Sequence, residues 1–217
     1  MSLEPSSDCK QGMIELICVR HGRTAWNADL RFQGQSDVPL DDEGRAQAAV
    51  LAAFFKDKPL AMAASSDLSR AAETARTILA HHPAAPLRLD PDLREMAFGA
   101  WEGLTWAQIV ERDPQMTAAA ARDGALRPKH YTPADGERFE DVVQRAARAV
   151  ERIRREAVPG SRVLVVTHAG VLHALLRVIL GEDEASMIAV RFTPASISRF
   201  AVAPDGGGRL LALNRTP

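Results

Sequence analysis

Residues 14–22 read Ile14-Glu15-Leu16-Ile17-Cys18-Val19-Arg20-His21-Gly22. The run is short and nearly all apolar up to Val19. That pattern fits a strand buried on both faces, as in a parallel sheet, rather than the alternation of a half-exposed antiparallel strand. A second such run, Val163 to Val166, ends at Thr167-His168-Ala169-Gly170. Both strands therefore stop at a histidine. In open α/β sheets ligands bind beyond the carboxyl ends of the strands. His21 and His168 are far apart in sequence, yet neighbouring strands would bring them together.

The segments between these runs read as helices and further strands. Asp41 can cap a helix from Asp42 to about Lys56, with Ala46, Ala49, Val50, Ala53 and Phe54 as its apolar face. A weaker strand, Leu60 to Ala64, ends at Ser65-Ser66-Asp67. A helix from about Leu68 to His81 follows, stopped by Pro83. Leu87 to Leu89 can form a short strand. Asp113 to Gly136, with Pro114, Pro128 and Pro133, reads as a loop or cap over a site. Phe139, Val142, Val143, Ala146, Val150, Ile153 and Ala157 form one helical stripe, which Pro159-Gly160 ends. Val171 to Leu180 is helical. Ile197 to Val202 and Leu210 to Leu213 look like final strands, paired as an edge hairpin. Strands alternating with helices predict an α/β fold: a three-layer α/β/α sandwich with a mostly parallel central sheet and a small helical or loop cap. The expected organisation is a loose tail over 1–12 and one catalytic domain over 13–217, with the cap at about 97–136.

Composition narrows the function. The 217 residues are 46% hydrophobic, and 27 Lys plus Arg face 28 Asp plus Glu. That near balance points to no nucleic-acid or anionic-membrane partner. Two cysteines, Cys9 and Cys18, are too few for a disulfide framework or a thiolate metal site. No apolar run approaches a bilayer span, and Met1 to Gly12 lacks the pattern of a secretory signal. A cytoplasmic setting is expected.

Among six histidines, His81 and His82 suit a helix end. His130 falls in the cap, and His173 suits packing or support of the site. His21 and His168 differ by their company. Arg20-His21-Gly22-Arg23-Thr24-Ala25-Trp26-Asn27 resembles the R-H-G-x-T-x-W-N motif of the histidine phosphatase, or phosphoglycerate-mutase-like, superfamily. Further pieces follow in the family's order: Leu40 to Gly44 with Gln47-Ala48, Ser65 to Ala75 around Arg70, Leu93 to Gly103 around Glu95, and Thr167 to Gly170. Arg-His-Gly alone would be a weak signal; the ordered set is specific. It spans about residues 14 to 200. Within the family, the likeness is to small-substrate phosphatases of the α-ribazole and sugar-phosphate kind.

The resemblance implies a metal-independent, cofactor-free hydrolase: a histidine acid-type phosphatase with catalytic residues His21, Glu95, His168, Arg20 and Arg70. His21 would be the nucleophile, attacking as neutral imidazole with a backbone carbonyl fixing its tautomer. Arg20 and Arg70 can offer planar forks of donors to the phosphoryl oxygens. A protonated His168 and the N–H of Ala169 would join that cradle. Glu95 would protonate the leaving alkoxide and then activate water. Asn27, Gln33 and Gly34 complete the expected substrate contacts, with a turn-capping role as the other reading of Asn27. Trp26 and Trp101 are expected to pack around the site. The expected partner is a small phosphate monoester; a homodimer is compatible with the sequence.

Two departures stand out. Ala97 occupies a place where many relatives carry a polar residue. Arg138 replaces a frequent serine, and Asp135 can take over the helix cap there. The main rival reading is a cofactor-dependent phosphoglycerate mutase, which shares the cradle. Mutases carry a longer segment after the acid to exclude water, and the mutase pattern of substrate arginines and tyrosine is not found after Glu95. A phospho-ligand binding module without turnover is the other rival, although no catalytic residue is missing.

Overall fold

Parallel strands β1 (Ile14–Arg20) and β4 (Arg162–Thr167) lie side by side at the centre of a six-stranded sheet. The computed structural model describes residues 12–114, 135–181 and 190–217. Between β1 and β4 come helices α1 (Ala25–Ala28) and α2 (Asp42–Phe55), strand β2 (Met62–Ser65), helix α3 (Ser69–Leu79), strand β3 (Leu87–Leu89), and helices α4 (Trp106–Arg112) and α5 (Phe139–Glu156). Helix α6 (Ala169–Leu180) and strands β5 (Ile197–Val202) and β6 (Gly208–Arg215) follow. The sheet order is β3-β2-β4-β1-β5-β6. The first four strands are parallel, and β5 and β6 return antiparallel as the edge hairpin. This is the α/β architecture expected from the alternating elements.

The two faces of the sheet carry separate cores because side chains alternate along each strand. Leu16 and Cys18 of β1 pack with α5 and α6. Ile17 and Val19 pack with α2 and α3. All four are wholly buried, so β1 is apolar on both sides as its sequence requires. Glu15 is the exception on this strand. It is buried between Arg162 and Arg199, with its carboxylate 3.3 Å and 2.5 Å from their Nε atoms.

Helix α2 differs from the sequence reading in phase. Gly44, Ala48, Leu51, Ala52 and Phe55 are buried, while Ala46, Ala49, Val50 and Ala53 face solvent. Residues 46–55 are nearly all apolar apart from Gln47, so hydrophobicity alone does not choose a face. Contact with the loop after β1 chooses it. A Cβ on Gly22 would come within 2.5 Å of the Gly44 carbonyl oxygen, so the two glycines let the backbones touch. The expected cap holds: the Asp41 side chain accepts from Gly44 N–H at 2.7 Å.

Helix α5 matches its stripe except that Val143 is only half-buried and Arg145 and Ala149 join the buried side. Asp135 does not cap α5. Arg138 occupies that position without a side-chain cap, and Asp135 accepts from Ala100 N–H instead, at 3.3 Å. Of the expected cap over 97–136, residues 115–134 lie outside the described residues, as do His130, Pro128, Pro133, Cys9 and the tail up to 11. The described start of that segment takes the helical form. It holds a short 3-10 turn, Gly99–Trp101, and helix α4.

Candidate active site

The pairing of β1 with β4 sets Arg20 opposite Thr167, so the residues that follow each strand emerge together. His21 N–H donates to the Thr167 carbonyl at 3.0 Å. The His21 and His168 ring centroids are 5.0 Å apart. His21 Nδ1 lies 2.7 Å from the Gly22 carbonyl oxygen. A carbonyl only accepts, so Nδ1 carries the hydrogen and Nε2 keeps its lone pair. Burial, then the charges of Arg70 and Arg20, hold the His21 imidazolium well below the usual range, and the Gly22 carbonyl opposes them. His168 is likewise held well down, by burial first and then by Arg70, His21, Arg20 and Arg145. Both shifts favour the neutral imidazole. Neither ring nitrogen of His168 has a hydrogen-bond partner. The protonated His168 expected from sequence therefore needs an arriving anion to favour it.

Arg20 and Arg70 flank the histidines. Arg70, in the first turn of α3, is wholly buried. Its Nη1 donates to the Ser36 carbonyl at 2.8 Å and its Nη2 to the Gly34 carbonyl at 2.7 Å. Arg20 Nη1 donates to the Phe192 carbonyl at 2.6 Å. The two forks are thus partly spent on aiming the side chains. Both Nε–H groups are buried and unpartnered, ready for an anion. Burial lowers Arg20 to about 10, with Glu95 opposing and Arg70 and Arg191 assisting; it remains a cation at neutral pH.

Glu95 reaches the same space from the loop after β3. Its Oε1 accepts from Gly170 N–H at 3.0 Å and Met96 N–H at 2.9 Å. Gly170 sits in the first turn of α6, where backbone N–H groups lack helical partners. A Cβ at Gly170 would overlap Glu95 Oε1, so the glycine admits the carboxylate.

A cavity of about 970 Å³ joins these groups. Its wall includes Arg20, His21, Asn27, Gln33, Gly34, Arg70, Glu95 and Ala169; His168 lies behind, wholly buried. Asn27 takes the capping role, its Oδ1 accepting from Thr24 N–H at 3.2 Å, and the residue also lines the cavity. Gln33 Oε1 is buried without a partner. Trp26 lines the cavity, whereas Trp101 is buried with its ring edge-on to Trp106.

Sequence reasoning passed over several contributors. Glu102 accepts from Gln35 and Ser36 N–H at 3.0 and 2.9 Å, fixing the loop that aims Arg70. Thr74 accepts from Gly22 N–H at 3.2 Å and donates to the Arg70 carbonyl at 2.7 Å, linking the His21 loop to helix α3. His173 rests its ring nitrogens 2.8 and 2.9 Å from the Ala169 and Val190 carbonyls, within the supporting role expected for it. Only the motif blocks around Glu102 and Thr74 signalled them. Among the described residues, no group of three His, Cys, Asp or Glu side chains is arranged to hold a metal ion, and no helix is long and apolar enough to cross a membrane.

Comparison with known proteins agrees with this geometry. The family model described as histidine phosphatase superfamily (branch 1) matches residues 16–216. A bifunctional protein of Mycobacterium tuberculosis is 34% identical over 93% of the chain. The chain covers 54% of that protein, about half its length. A metal-independent phosphoserine phosphatase of Arabidopsis thaliana is 36% identical over 75% of the chain and 67% of its own length. Among solved structures, a mycobacterial glucosyl-3-phosphoglycerate phosphatase complexed with VO3 superposes with a TM-score of 0.82. It is 30% identical, covering 93% of this chain and 99% of that one.

Proposed function

The chain belongs to the histidine phosphatase superfamily, branch 1, and on that premise we propose that it hydrolyses small phosphate monoesters, metal-free, through a phosphohistidine on Nε2 of His21. The observation that carries this reading is the 2.7 Å contact of His21 Nδ1 with the Gly22 carbonyl. It leaves Nε2 as the lone-pair nitrogen of a ring whose protonated form is disfavoured. In the first step Nε2 attacks phosphorus while the P–O bond to the alcohol breaks. Glu95 gives its proton to the departing alkoxide. The Gly22 carbonyl holds the Nδ1–H of the cationic phosphoimidazole. In the second step the Glu95 carboxylate takes a proton from water, the water oxygen bonds to phosphorus, and the P–N bond breaks to return neutral His21.

Arg20 and Arg70 stabilise the charge spread over the equatorial oxygens, the task a metal ion performs elsewhere. Arrival of the dianion favours a proton on His168, which then joins the cradle. Two cysteines, with Cys18 buried as a free thiol, suit a reducing cytoplasmic setting.

The test is rapid-quench labelling and phosphate release over a panel of phosphomonoesters after exhaustive chelation. An acid-labile, base-stable label lost in H21A, with activity retained in chelator and inhibited by vanadate, is expected. A tenth of the activity surviving in H21A, or activity that zinc or magnesium must restore, refutes the reading.

A further inference from the structure

Helix α1 ends in a left-handed residue, closed by a bond from Arg31 N–H to the Trp26 carbonyl at 2.9 Å. Glycine is the usual occupant of such a position. Here it is Leu30, at φ 55°. A leucine in this conformation is disfavoured by contact of its Cβ with the backbone. The residue is also 69% exposed, so little burial among the described residues offsets that cost. Backbone strain and exposed apolar surface thus coincide in one residue, and that residue lines the cavity holding His21.

Its neighbours on the wall are of the same kind. Trp26, Phe32 and Phe98 line the cavity, and the Phe32 and Phe98 rings meet edge to face at 5.1 Å. Two of the polar groups interleaved with them are engaged, whereas Gln33 Oε1 on the same wall is buried without a partner. Arg31 Nη1 donates to the Gly103 carbonyl at 2.7 Å, its Nε faces Asp29 at 3.5 Å, and Asn27 commits its Oδ1 to Thr24. Over Leu30 and the rings themselves a sugar or glycerol moiety would set its hydroxyls against carbon, losing water without replacing it. A hydrocarbon moiety would instead cover Leu30 and the rings.

Resting on the reading of His21 as a phosphoryl acceptor, we propose that Leu30, Trp26, Phe32 and Phe98 form a subsite for the alcohol portion of the substrate. The preferred substrates are phosphate monoesters of apolar, medium-chain or aromatic alcohols rather than of sugars or glycerol.

Binding and turnover test this separately. Ethyl-, butyl- and hexylphosphonate, whose C–P bond is not broken, are titrated into the full chain by calorimetry. Affinity should rise with length, on the order of fourfold for each methylene that becomes buried; a flat series overturns the subsite. In turnover, kcat/KM for hexyl phosphate should exceed that for glycerol 3-phosphate. L30G and L30N, two residues that accept positive φ, should lower that ratio roughly tenfold without lowering the melting temperature. An unchanged ratio in both variants, or glycerol 3-phosphate matching hexyl phosphate in the wild type, overturns it. Length-dependent phosphonate binding with no phosphate released from any ester would support the subsite and sink the hydrolase reading instead.

Discussion

The Arg145 guanidinium holds the Glu137 carboxylate in two bonds, Nε to Oε1 at 2.7 Å and Nη2 to Oε2 at 3.0 Å, with both side chains largely withdrawn from water. Its Nη1 donates to the carbonyls of Asp92, at 2.8 Å, and Arg94. Glu137 Oε2 accepts from Ala97 N–H at 3.1 Å. The pair therefore grips the acid loop on both sides of Glu95.

Replacing Arg145 by Met should cost about 3–5 kcal/mol, because Glu137 is left largely buried without its counter-charge. The surviving fold should lose more activity on alkyl phosphates than on aryl phosphates, since a displaced Glu95 protonates poorly. Urea denaturation and paired kinetics read both effects. Lysine at this position restores the charge but not the fork and should fall between. Equal loss on both substrate types would make Arg145 merely structural.

Glu95→Gln should keep the bonds to Gly170 and Met96 N–H through its amide oxygen while removing the transferable proton. Loss of kcat on alkyl phosphates should reach on the order of 10²–10⁴, with an activated aryl phosphate partly spared. G170A should move in the same direction, since its Cβ would displace the carboxylate. If E95Q lowers both substrates equally, Glu95 positions substrate rather than supplying a proton.

The parts of the molecule that sequence reveals are those where one residue type has one use. A strand apolar on both faces must lie inside a sheet, so β1 and β4 were legible and their histidines with them. Helix α2 was legible in extent but not in phase, because its apolar residues nearly surround it and Gly44 decides by contact. Helix α4 is marked by a reciprocal cap, Thr105 with Gln108, but it buries only Ile109 and so shows no stripe. Arg145 on α5 looks like any arginine of an exposed helix. Its role comes from the carbonyls of a loop some fifty residues earlier in the chain, which no local pattern encodes.

Stability should fall as the solution is acidified below neutrality. His21 and His168 have folded-state values well below the ordinary 6.5, chiefly through burial. As pH drops through about 6.5 the unfolded chain takes up protons at both sites and the folded chain does not. The unfolded state then binds more protons, so stability rises with pH. The contribution is complete above about 6.5 and is lost below it, at up to about 1.4 kcal/mol per pH unit for each site. Urea midpoints between pH 7.5 and 5 measure the slope. H168N should roughly halve it, and inorganic phosphate, which favours the charged ring, should flatten it. An H168N slope equal to that of the wild type would contradict the assignment.

The fate of the phosphoryl group separates hydrolysis from isomerisation. Both begin with transfer to His21, so trapping the intermediate cannot decide between them. They differ in the second acceptor, which is water in one and the hydroxyl of a bound acid in the other. An isomerising enzyme must keep its phosphorylated form from water while the acceptor reorients, which requires a closed site. Glu95, held by the Gly170 and Met96 amides, lines the same cavity as His21, and on the proposed reading it is the base that activates water. The phosphorylated enzyme should therefore lose its group to water quickly. Incubation with 3-phosphoglycerate and catalytic 2,3-bisphosphoglycerate, following isomer and free phosphate together, measures the partition. Phosphate release should dominate. Isomerisation far outpacing it would assign the same five residues, Arg20, His21, Arg70, Glu95 and His168, to a mutase, with Glu95 drawing a proton from the hydroxyl of the bound acid instead of from water.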